Sequence, residues 1–317
     1  MISYLEFEKP VAELDARIAD LREAADNDDV DISKELERLE QKSADLIAST
    51  YNSLTPWQKT QVARHPARPH FRDFVEYLFD DFMPLGGDRK YGDDDAILGG
   101  FAKLDGRRVM LIGHEKGNDT ESRIRHNFGM GKPEGYRKAV RIMDMADRFD
   151  IPVLSFVDTA GAWPGIGAEE RGQAEAIARS TEKSLEIGVP NLAIIVGEGG
   201  SGGAIAIATA NKVLMLQHAI YSVISPEAGA SILFRDAGRA QDMAAAQKIT
   251  AQDLAELKVI DGIIEEPVGG AHRHIETIMA SCRHEIGTFL DEFSGMPREK
   301  VREHRRDKFL AIGRTLA

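Results

Sequence analysis

The first 85 residues carry apolar side chains three or four positions apart, the spacing of a helix with one buried face. The acidic stretch "DNDDVD" at 26–31 separates two such series, so we expect an antiparallel helical hairpin with a turn there. Thr55-Pro56-Trp57-Gln58 has the form of a capping box with proline at the first helical position. The sequence therefore predicts a helical extension over residues 1–85, either a solvated segment or an arm that docks a partner. The apolar positions are Val11, Leu14, Ile18 and Leu21, then Ile32, Leu36 and Leu39.

Beyond residue 85 the pattern changes to that of strands. The runs "AILGGFAKL" and "RVMLIG" flank Asp105-Gly106, a dipeptide typical of a tight hairpin. "IPVLSFVD" at 151–158 and "VPNLAIIV" at 189–196 are nearly continuous apolar runs, as expected for strands buried on both faces of a parallel sheet. "YSVIS" at 221–225 and "VIDGII" at 259–264 indicate two further strands.

Helices are predicted between these strands. One begins at Pro133, and a second spans residues 168–188 and ends at Gly188. Ser225-Pro226 and Thr250-Ala251-Gln252-Asp253 have the form of two more helix starts. The alternation of strands and helices predicts an α/β fold with parallel pairing. The apolar face of the first helix is expected to contain Ala139, Ile142, Ala146 and Phe149, and the methionines expected to fill the core are Met143, Met145 and Met279.

Composition narrows the functional classes. The 317 residues carry a formal net charge of -12, which argues against non-specific binding to nucleic acid or anionic membranes. A single cysteine, Cys282, excludes a disulfide framework or a cysteine-rich zinc ribbon within this chain and fits a reducing compartment. The start "MISYLEFEKP" lacks a basic stretch followed by an apolar run, and no segment approaches the roughly 18 apolar residues of a membrane span. We therefore expect a cytoplasmic protein.

The stretch "GEGGSGGAIAIA" at 197–208 is nearly bare of side chains and follows a predicted strand. Gly197, Gly199 and Gly202 match a dinucleotide-binding fingerprint, but the following helix is short and no acidic residue lies near position 222 to bind a ribose. Gly199-x-Ser201-x-Gly203 also matches a nucleophile elbow. A tight turn explains a small residue at 201 better than a nucleophile does. The residues that could complete such a hydrolase are Asp236, His272 and His274.

An oxyanion hole fits the stretch better. Glycines allow a ligand close to the main chain, and the first N–H groups of a helix point outward without partners in a field that favours negative charge. Each such donor contributes roughly 3–4 kcal/mol to a transition state that carries an oxyanion. Gly202 and Gly203 are the expected donors. A packing turn without chemistry would account for one or two of the glycines but not for five.

Longer motifs point to a family. "PEGYRKAVRIMDMADRFDIPVLSFVDTAGAWPGIGAEERGQAEAIAR", "GEGGSGGAIAIA", "MLQHAIYSVISPEAGASILF", "NFGMGKPEGYRKA" and "EPVGGAHR" closely resemble the alpha subunits of bacterial acetyl-coenzyme A carboxylase carboxyltransferase. The resemblance runs from "FEKPVAELDARI" to about residue 275. It implies a crotonase-like spiral of ββα units over residues 86–284, with a helical extension at 1–85 and a helical tail at 285–317. Lys258 stands where many crotonases have glycine.

The resemblance also implies a reaction. The family transfers the carboxyl group of carboxybiotin, carried by a biotinyl carrier protein, to acetyl-coenzyme A, which gives malonyl-coenzyme A in the first committed step of fatty acid biosynthesis. A thioester enolate and a biotin ureido anion arise, and each requires an oxyanion hole. Since the biotin anion can take the acetyl proton, no side-chain base is required. The resemblance implies catalytic amides at Gly202 and Gly203, and substrate-binding residues Gly199, Gly200, Ala204, Gly161, Ala162, Trp163 and Gly165.

Partners follow from the same resemblance. The resemblance implies that the site is shared with a beta subunit that bears a zinc ribbon, in an α2β2 heterotetramer. It also implies a biotin carboxylase in the larger complex, which uses ATP at a different subunit. No metal is expected on this chain, and the polar residues near the loops are expected to be structural. Ala160 and Trp163 replace the proline and tyrosine usual in the family, so a role for a phenolic hydroxyl at 163 does not carry over. The polar residues in question are Glu169, Glu170, Arg171 and Glu198, and the histidines not expected to bind metal are His114, His218, His272 and His274.

Two alternatives remain open. One is a stand-alone crotonase-type hydratase or decarboxylase that acts on an acyl-coenzyme A. The other is a binding or scaffold protein whose glycine loops are only packing turns. Activity of the isolated chain would favour the first, whereas a carboxyltransferase subunit is expected to be inactive without its partner.

Overall fold

The N-terminal segment is helical, as the apolar spacing predicts. In the computed structural model, which describes residues 3–27 and 33–314, α1 and α2 lie antiparallel, because Asp15 contacts Ser43 and Arg22 contacts Glu40. The helical hairpin is thus confirmed, while Ile32 and residues 28–31 of the predicted turn lie outside the described part of the chain. The elements of this segment are α1 (Lys9–Asn27), α2 (Ser33–Asn52), α3 (Pro56–Ala63), α4 (Phe71–Leu78) and the strand β1 (Asp80–Pro84).

The capping box at the start of α3 is confirmed. The Thr55 hydroxyl accepts a hydrogen bond from the Gln58 amide, and the Gln58 side chain accepts one from the Thr55 amide. The expectation that residues 1–85 are purely helical is wrong at its end, because β1 pairs antiparallel with the following strand. The partner of β1 is β2, which begins at Ile97. The spacing of apolar residues within 1–85 therefore could not indicate this strand.

One sheet organises the rest of the described chain. Its strand order is β1-β2-β3-β4-β5-β6-β8, and β7 pairs with the far end of β5. Pairing is antiparallel from β1 to β3 and parallel from β3 onward. The predicted α/β class with parallel pairing is therefore confirmed. The strands are β2 (Ile97–Leu104), β3 (Arg107–His114), β4 (Val153–Thr159), β5 (Asn191–Gly200), β6 (Lys212–Leu216), β7 (Ile220–Ser222) and β8 (Gly262–Ile264).

The hairpin at Asp105-Gly106 is also confirmed. Both residues have positive φ, 49° and 78°, as a two-residue turn between twisted strands requires. The strands β4 and β5 are buried along their whole lengths, which agrees with their continuous apolar runs. "YSVIS" and "VIDGII" form strands only in part, at 220–222 and 262–264, and β6 was not predicted.

Helices connect the strands that follow β3. They include two that begin at predicted caps: the Ser225 and Thr250 hydroxyls accept hydrogen bonds from the amides three residues later. They are α5 (Thr120–Arg125), α6 (Pro133–Phe149), α7 (Ile166–Glu170), α8 (Gln173–Glu186), α9 (Ser201–Ala208), α10 (Pro226–Leu233), α11 (Ala240–Gln247), α12 (Ala251–Glu256), α13 (Ile275–Glu292) and α14 (Arg298–Ala311).

Three helix predictions need correction. Phe149 is not on the buried face of α6, since it lies at the last helical position and is 53% exposed. The predicted helix over 168–188 is broken between α7 and α8, where Gly172 has φ 80°. The expected boundary between residues 284 and 285 falls inside α13, which is one continuous helix. Lys258, at the usual glycine position, has φ 56° in the left-handed region.

The core continues into the C-terminal helices. Cys282 on α13 is buried and forms no disulfide, and burial raises the pKa of its thiol. Met143 and Met279 are buried as expected, and Met145 packs against the core while half-buried. Arg305 on α14 is fully buried and donates to the side-chain oxygen of Asn191, the first residue of β5. Within residues 3–27 and 33–314, no helix combines the length and apolar character needed to cross a bilayer.

Candidate active site

The glycine stretch continues β5 to Gly200 and then turns directly into α9. A Cβ on Gly200 would collide with the carbonyl of Ala160, and one on Gly203 would lie 2.7 Å from the Gly161 carbonyl carbon. The first glycine loop, residues 159–165, therefore packs main chain against main chain on the second loop, residues 197–203. No side chain fits between them, so glycine is required at 200 and 203 for packing alone.

Gly202 differs from these two positions. A Cβ there would meet only the Ile177 side chain, at 3.4 and 3.5 Å, which is ordinary or slightly tight contact. Its φ is not in the left-handed region, so neither space nor backbone conformation demands a glycine. Packing therefore explains Gly203 but leaves Gly202 without a steric reason.

The start of α9 offers unpaired donors. Its N-cap residue, Gly200, has no side chain that could accept from the first turn. The amides of Ser201, Gly202 and Gly203 have no acceptor within the helix, because the first four N–H groups of any helix lack one. Ser201 has φ 52°, a strained value for a residue other than glycine, at the point where the strand turns into the helix. These N–H groups belong to the first turn of α9, which packs against the first glycine loop.

The first glycine loop is held by its own contacts. The Thr159 hydroxyl accepts from the Gly161 amide at 3.1 Å and donates to the Gly161 carbonyl at 2.8 Å. The Trp163 amide donates to the Gly131 carbonyl at 2.9 Å, and the indole lies against Gly165. Ala162 presents its amide nitrogen 2.8 Å from the position that a Cβ on Gly203 would occupy.

Several of the predicted site residues therefore meet where these loops touch, and two others lie behind this contact. Gly161 and Ala162 lie against Gly203, and Gly200 lies against Ala160. Ala204 is fully buried behind the turn, and a Cβ on Gly199 would point at Tyr221. These two positions contribute to packing behind the loops.

Sequence reasoning missed a buried charged cluster under both loops. Asp158 ends the apolar run of β4, and its carboxylate accepts from Lys116 Nζ at 2.6 Å and from the Glu198 amide at 2.9 Å. The second carboxylate oxygen lies 3.5 Å from His70 Nδ1. Burial alone would raise the pKa of Asp158, but Lys116 and His70 hold that pKa well below its usual range. Asp158 thereby ties the end of β4 to the second glycine loop.

Glu198 and Arg171 belong to ion pairs. Arg64 donates to Glu198 at 2.6 Å and to Glu227 at 2.5 Å, which joins α3, β5 and α10. Arg171 donates to Glu134 at 2.6 Å, which joins the α7–α8 break to the start of α6. Both contacts position the segments around the glycine loops.

The hydrolase interpretation of Ser201 finds no support. Asp236 accepts from the Gly238 amide in a surface turn, and the His272 ring stacks on His65 with centroids 3.9 Å apart. His274 precedes the first residue of α13. Among the described residues, no hydrogen bond joins Ser201 to any of the three nominated partners. In residues 3–27 and 33–314, no three histidine, cysteine, aspartate or glutamate side chains are grouped to hold a metal ion.

Two buried histidines predict the pH dependence of stability. Burial lowers the pKa of His114, which lies beside Asp158 and Lys116, and that of His218 to about 4 each. Their folded-state pKa values lie below the usual 6.5, so the unfolded chain binds more protons, and stability falls as the pH drops from 6.5 toward 4. At pH 5.5 each histidine is expected to lower the free energy of unfolding by about 1.4 kcal/mol.

Urea unfolding at pH 7.5 and 5.5 measures this effect. The wild-type chain is expected to unfold at a lower urea concentration at pH 5.5. The variant His218→Gln is expected to reduce the difference in unfolding free energy between the two pH values by about 1.4 kcal/mol. Equal unfolding free energies at the two pH values would contradict the prediction.

Comparisons of the sequence with known proteins show which family this chain matches. The family model described as acetyl co-enzyme A carboxylase carboxyltransferase-like matches residues 4–313. The chain is 66% identical to the acetyl-coenzyme A carboxylase carboxyl transferase subunit alpha of Erythrobacter litoralis (strain HTCC2594), over 99% of this chain and 100% of that one. It is 62% identical to the subunit of the same name from Xanthobacter autotrophicus (strain ATCC BAA-1158 / Py2), over 100% of both chains.

Solved structures show the same fold at low sequence identity. A transcarboxylase 12S structure matches with a TM-score of 0.59 and 20% identity over 72% of this chain, which spans 42% of that chain. A Pseudomonas malonate decarboxylase hetero-tetramer in complex with coenzyme A matches with a TM-score of 0.57 and 20% identity, covering 72% of this chain and 92% of that one. The fold is the crotonase-like one expected. Because the family model spans nearly the whole sequence and the relatives match end to end, the chain belongs to the acetyl co-enzyme A carboxylase carboxyltransferase-like family.

Proposed function

We propose that this chain is the alpha-type half of a carboxyltransferase that moves a carboxyl group from carboxybiotin to acetyl-coenzyme A and so forms malonyl-coenzyme A, the first committed step of fatty acid biosynthesis. Full-length identity above 60% to subunits named for acetyl-coenzyme A carboxylase supports the reaction. The observation that carries the proposal within the fold is the pair of amides at Gly202 and Gly203, in the first turn of α9, where the two glycine loops meet.

These amides serve as an oxyanion hole. They lie at the positive end of an eight-residue helix, and no side chain of the N-cap competes for them. Donors fixed by the fold need no reorganisation when negative charge develops on an oxygen, so they lower the barrier more than water would. Ala204, Ala206 and Ile207 behind them are buried, which keeps the helix start rigid.

A flat cofactor would approach the start of α9 at Ser201 and Gly202, which are partly exposed. The main chain at 161, 200 and 203 is already covered by the contact between the two loops. Carboxybiotin supplies the carboxyl group when it is bound. The chain's own residues bind and orient the carbonyl oxygen that becomes negatively charged, and they exclude water. Neither glycine loop contains a histidine that could act as a base.

The proposed reaction also requires partners. We infer a second, zinc-ribbon-bearing beta-type subunit that completes the site in an α2β2 assembly, a biotin carboxyl carrier protein, and a biotin carboxylase, all in the cytoplasm. Apolar side chains near the loops support a covered surface: Ile166, the first residue of α7, is 80% exposed, and Phe128 is half exposed. Such a surface costs free energy in water unless another chain covers it.

The experiment is a carboxyl-transfer assay with purified components. The chain alone, the beta-type subunit alone, and the two together are supplied with carboxylated carrier protein and acetyl-coenzyme A, and malonyl-coenzyme A is quantified. Product is expected only from the combination. Turnover of an acyl-coenzyme A by the isolated chain would instead support a stand-alone hydratase or decarboxylase, and no product from a stable complex would support a binding role.

A further inference from the structure

The strand β5 is irregular shortly before α9 begins. Val157 of β4 pairs with Ile195 of β5, but the next pair is Thr159 with Gly199, so one residue of β4 faces three residues of β5. These three, residues 196–198, form a bulge in the strand, which we call the β5 bulge. The strand β6 pairs with β5 before this bulge, whereas β7 pairs from the last residue of the bulge onward. The irregularity therefore lies where β5 changes neighbours, two residues before the start of α9.

Two charged side chains bind the main chain at the two ends of the β5 bulge. The Glu198 amide donates to the Asp158 carboxylate at 2.9 Å. The Val196 carbonyl accepts from two nitrogens of the Arg68 guanidinium, at 2.8 and 3.2 Å. A bulge disrupts the ladder locally, and buried backbone groups require partners. Asp158 and Arg68 supply these partners, and we call the two residues the clamp.

Each residue of the clamp has a charged partner of its own. Arg68 donates to both carboxylate oxygens of Glu266, at 2.8 and 2.9 Å, and both side chains are almost completely buried. Burial alone would raise the pKa of Glu266, but Arg68 lowers it to about 2, so the carboxylate is ionised at neutral pH. Lys116 pairs with Asp158 at 2.6 Å. Because a two-pronged contact fixes the plane of a guanidinium, the donors to the Val196 carbonyl are fixed as well.

The middle residue of the bulge, Gly197, is packed against the clamp. A Cβ at this position would lie 2.5 Å from Oδ1 of Asp158 and 3.1 Å from the Ala63 carbonyl oxygen. The Asp158 carboxylate therefore lies directly against the main chain of the bulge. Glycine at 197 has a steric reason, and that reason is the clamp.

The members of the clamp come from distant parts of the sequence. Arg68 belongs to the connection between α3 and α4 in the N-terminal extension, and its partner Glu266 begins the motif "EPVGGAHR". Asp158 directly precedes the first glycine loop. Beyond the bulge, β5 continues without an intervening loop into α9, so a shift of the bulge would move the amides of Gly202 and Gly203 with it.

We propose that Asp158 and Arg68 are positioning residues for the amides of Gly202 and Gly203, because they fix the β5 bulge and so set where α9 begins. The role of those amides rests on the proposed function, whereas the fixing of the bulge does not depend on it. The N-terminal extension that supplies Arg68 thereby contributes to the site from behind the second glycine loop.

Two substitutions at Asp158 test the link to turnover in the complex with the beta-type subunit. Asp158→Ala removes the acceptor of the Glu198 amide. It is expected to lower kcat for carboxyl transfer at least about tenfold and to change KM for acetyl-coenzyme A less than about twofold, since oxyanion donors act in the transition state. Asp158→Asn keeps an oxygen that can accept from the same amide, so kcat is expected to return to within about threefold of the wild-type value.

Asp261→Ala is the matched control. The Asp261 carboxylate accepts from the amide of Val213 on β6 at 2.6 Å and pairs with Lys308, so the same kind of contact is removed far from the glycine loops. We expect kcat per assembled complex to change less than about twofold, even if the thermal midpoint falls as far as in Asp158→Ala. An equal loss of kcat in the two alanine variants would overturn the proposal, and so would wild-type kcat in an assembled Asp158→Ala complex.

Hydrogen exchange of the purified full-length chain tests the clamp without turnover. In Asp158→Ala, and in Arg68→Lys, which keeps the charge but offers a single nitrogen, the amides of residues 196–203 are expected to exchange at least about tenfold faster. Residues 212–216 of β6 should be unchanged in both variants and should exchange faster in Asp261→Ala. Unchanged exchange over 196–203 would overturn the proposal, as would an equal acceleration of both segments in the clamp variants.

The two kinds of measurement separate the two proposals. If the wild-type complex forms no malonyl-coenzyme A, the proposed function is refuted. The exchange rates of residues 196–203 then still decide whether Asp158 and Arg68 fix the β5 bulge.

Discussion

Replacing Gly203 by alanine will lower kcat/KM for carboxyl transfer at least about 100-fold, the loss expected when an oxyanion donor is displaced. The new Cβ would lie 2.7 Å from the Gly161 carbonyl carbon and 2.8 Å from the Ala162 nitrogen, closer than real Cβ atoms come to main chain. The two loops must separate, and the amides at the start of α9 move with them. The measurement is malonyl-coenzyme A formation by the complex with the beta-type subunit.

Gly92→Ala is the matched control for this change. It adds the same methyl group outside both glycine loops, where no neighbouring atom lies within 4 Å of the new Cβ and φ is not in the left-handed region. We expect less than a threefold loss of kcat/KM. Thermal unfolding and complex formation should be measured for both variants. Retained activity in a correctly assembled Gly203→Ala complex would refute the role of the loop contact in placing the donors.

Replacing Arg305 by methionine will lower the free energy of unfolding by about 3–5 kcal/mol, the cost expected when one partner of a buried, charged hydrogen-bond network is removed. Burial lowers the pKa of Arg305 to about 10, so the guanidinium is still protonated at neutral pH. Its N–H groups bind neutral oxygens beneath the sheet, and the variant would leave these acceptors buried without donors. The acceptors are the carbonyls of Leu185, Ile187 and Val189 and the side-chain oxygens of Asn191 and Asn211.

The neighbouring residue provides the comparison. Arg306 is exposed, and among the residues that the structure describes its ion pair is with the adjacent Asp307, at 3.2 Å. Arg306→Met should therefore change the free energy of unfolding by less than about 0.5 kcal/mol. Both variants can be followed by urea unfolding at pH 7.5. A loss below about 1 kcal/mol in Arg305→Met would show that α14 is not anchored to the sheet through this side chain.

Features of the fold that depend on neighbouring residues could be predicted from the sequence. Asp105-Gly106 requires two positive φ values, and Thr55, Ser225 and Thr250 can each accept from the amide three residues on, so the hairpin and the caps follow from local chemistry. The break at Gly172 could not be predicted in this way, because good helix formers continue on both sides of it. β6 is only five residues long and pairs with β5 and β8. It forms a strand because of these neighbours in the sheet and not because of a pattern in its own residues.

The same distinction between local sequence signals and contacts made by the fold applies to the candidate site. The glycines at 200 and 203 were identified because a missing side chain is itself a signal that main chain must approach closely. The cluster of Asp158, Lys116 and His70 had no such signal, since its members come from β4, the segment after β3 and the start of α4. Their proximity arises from sheet order, which spacing along one chain does not encode.

The isolation of Cys282 has a practical consequence. It is the chain's one cysteine, and it is buried, so a maleimide reagent will not reach a native thiol in the folded state. A cysteine introduced at Ile166, which projects into solvent beside the first glycine loop, would then carry a fluorophore at a single known position without prior removal of native residues. Arrival of a second subunit at that face could be timed directly by stopped-flow emission.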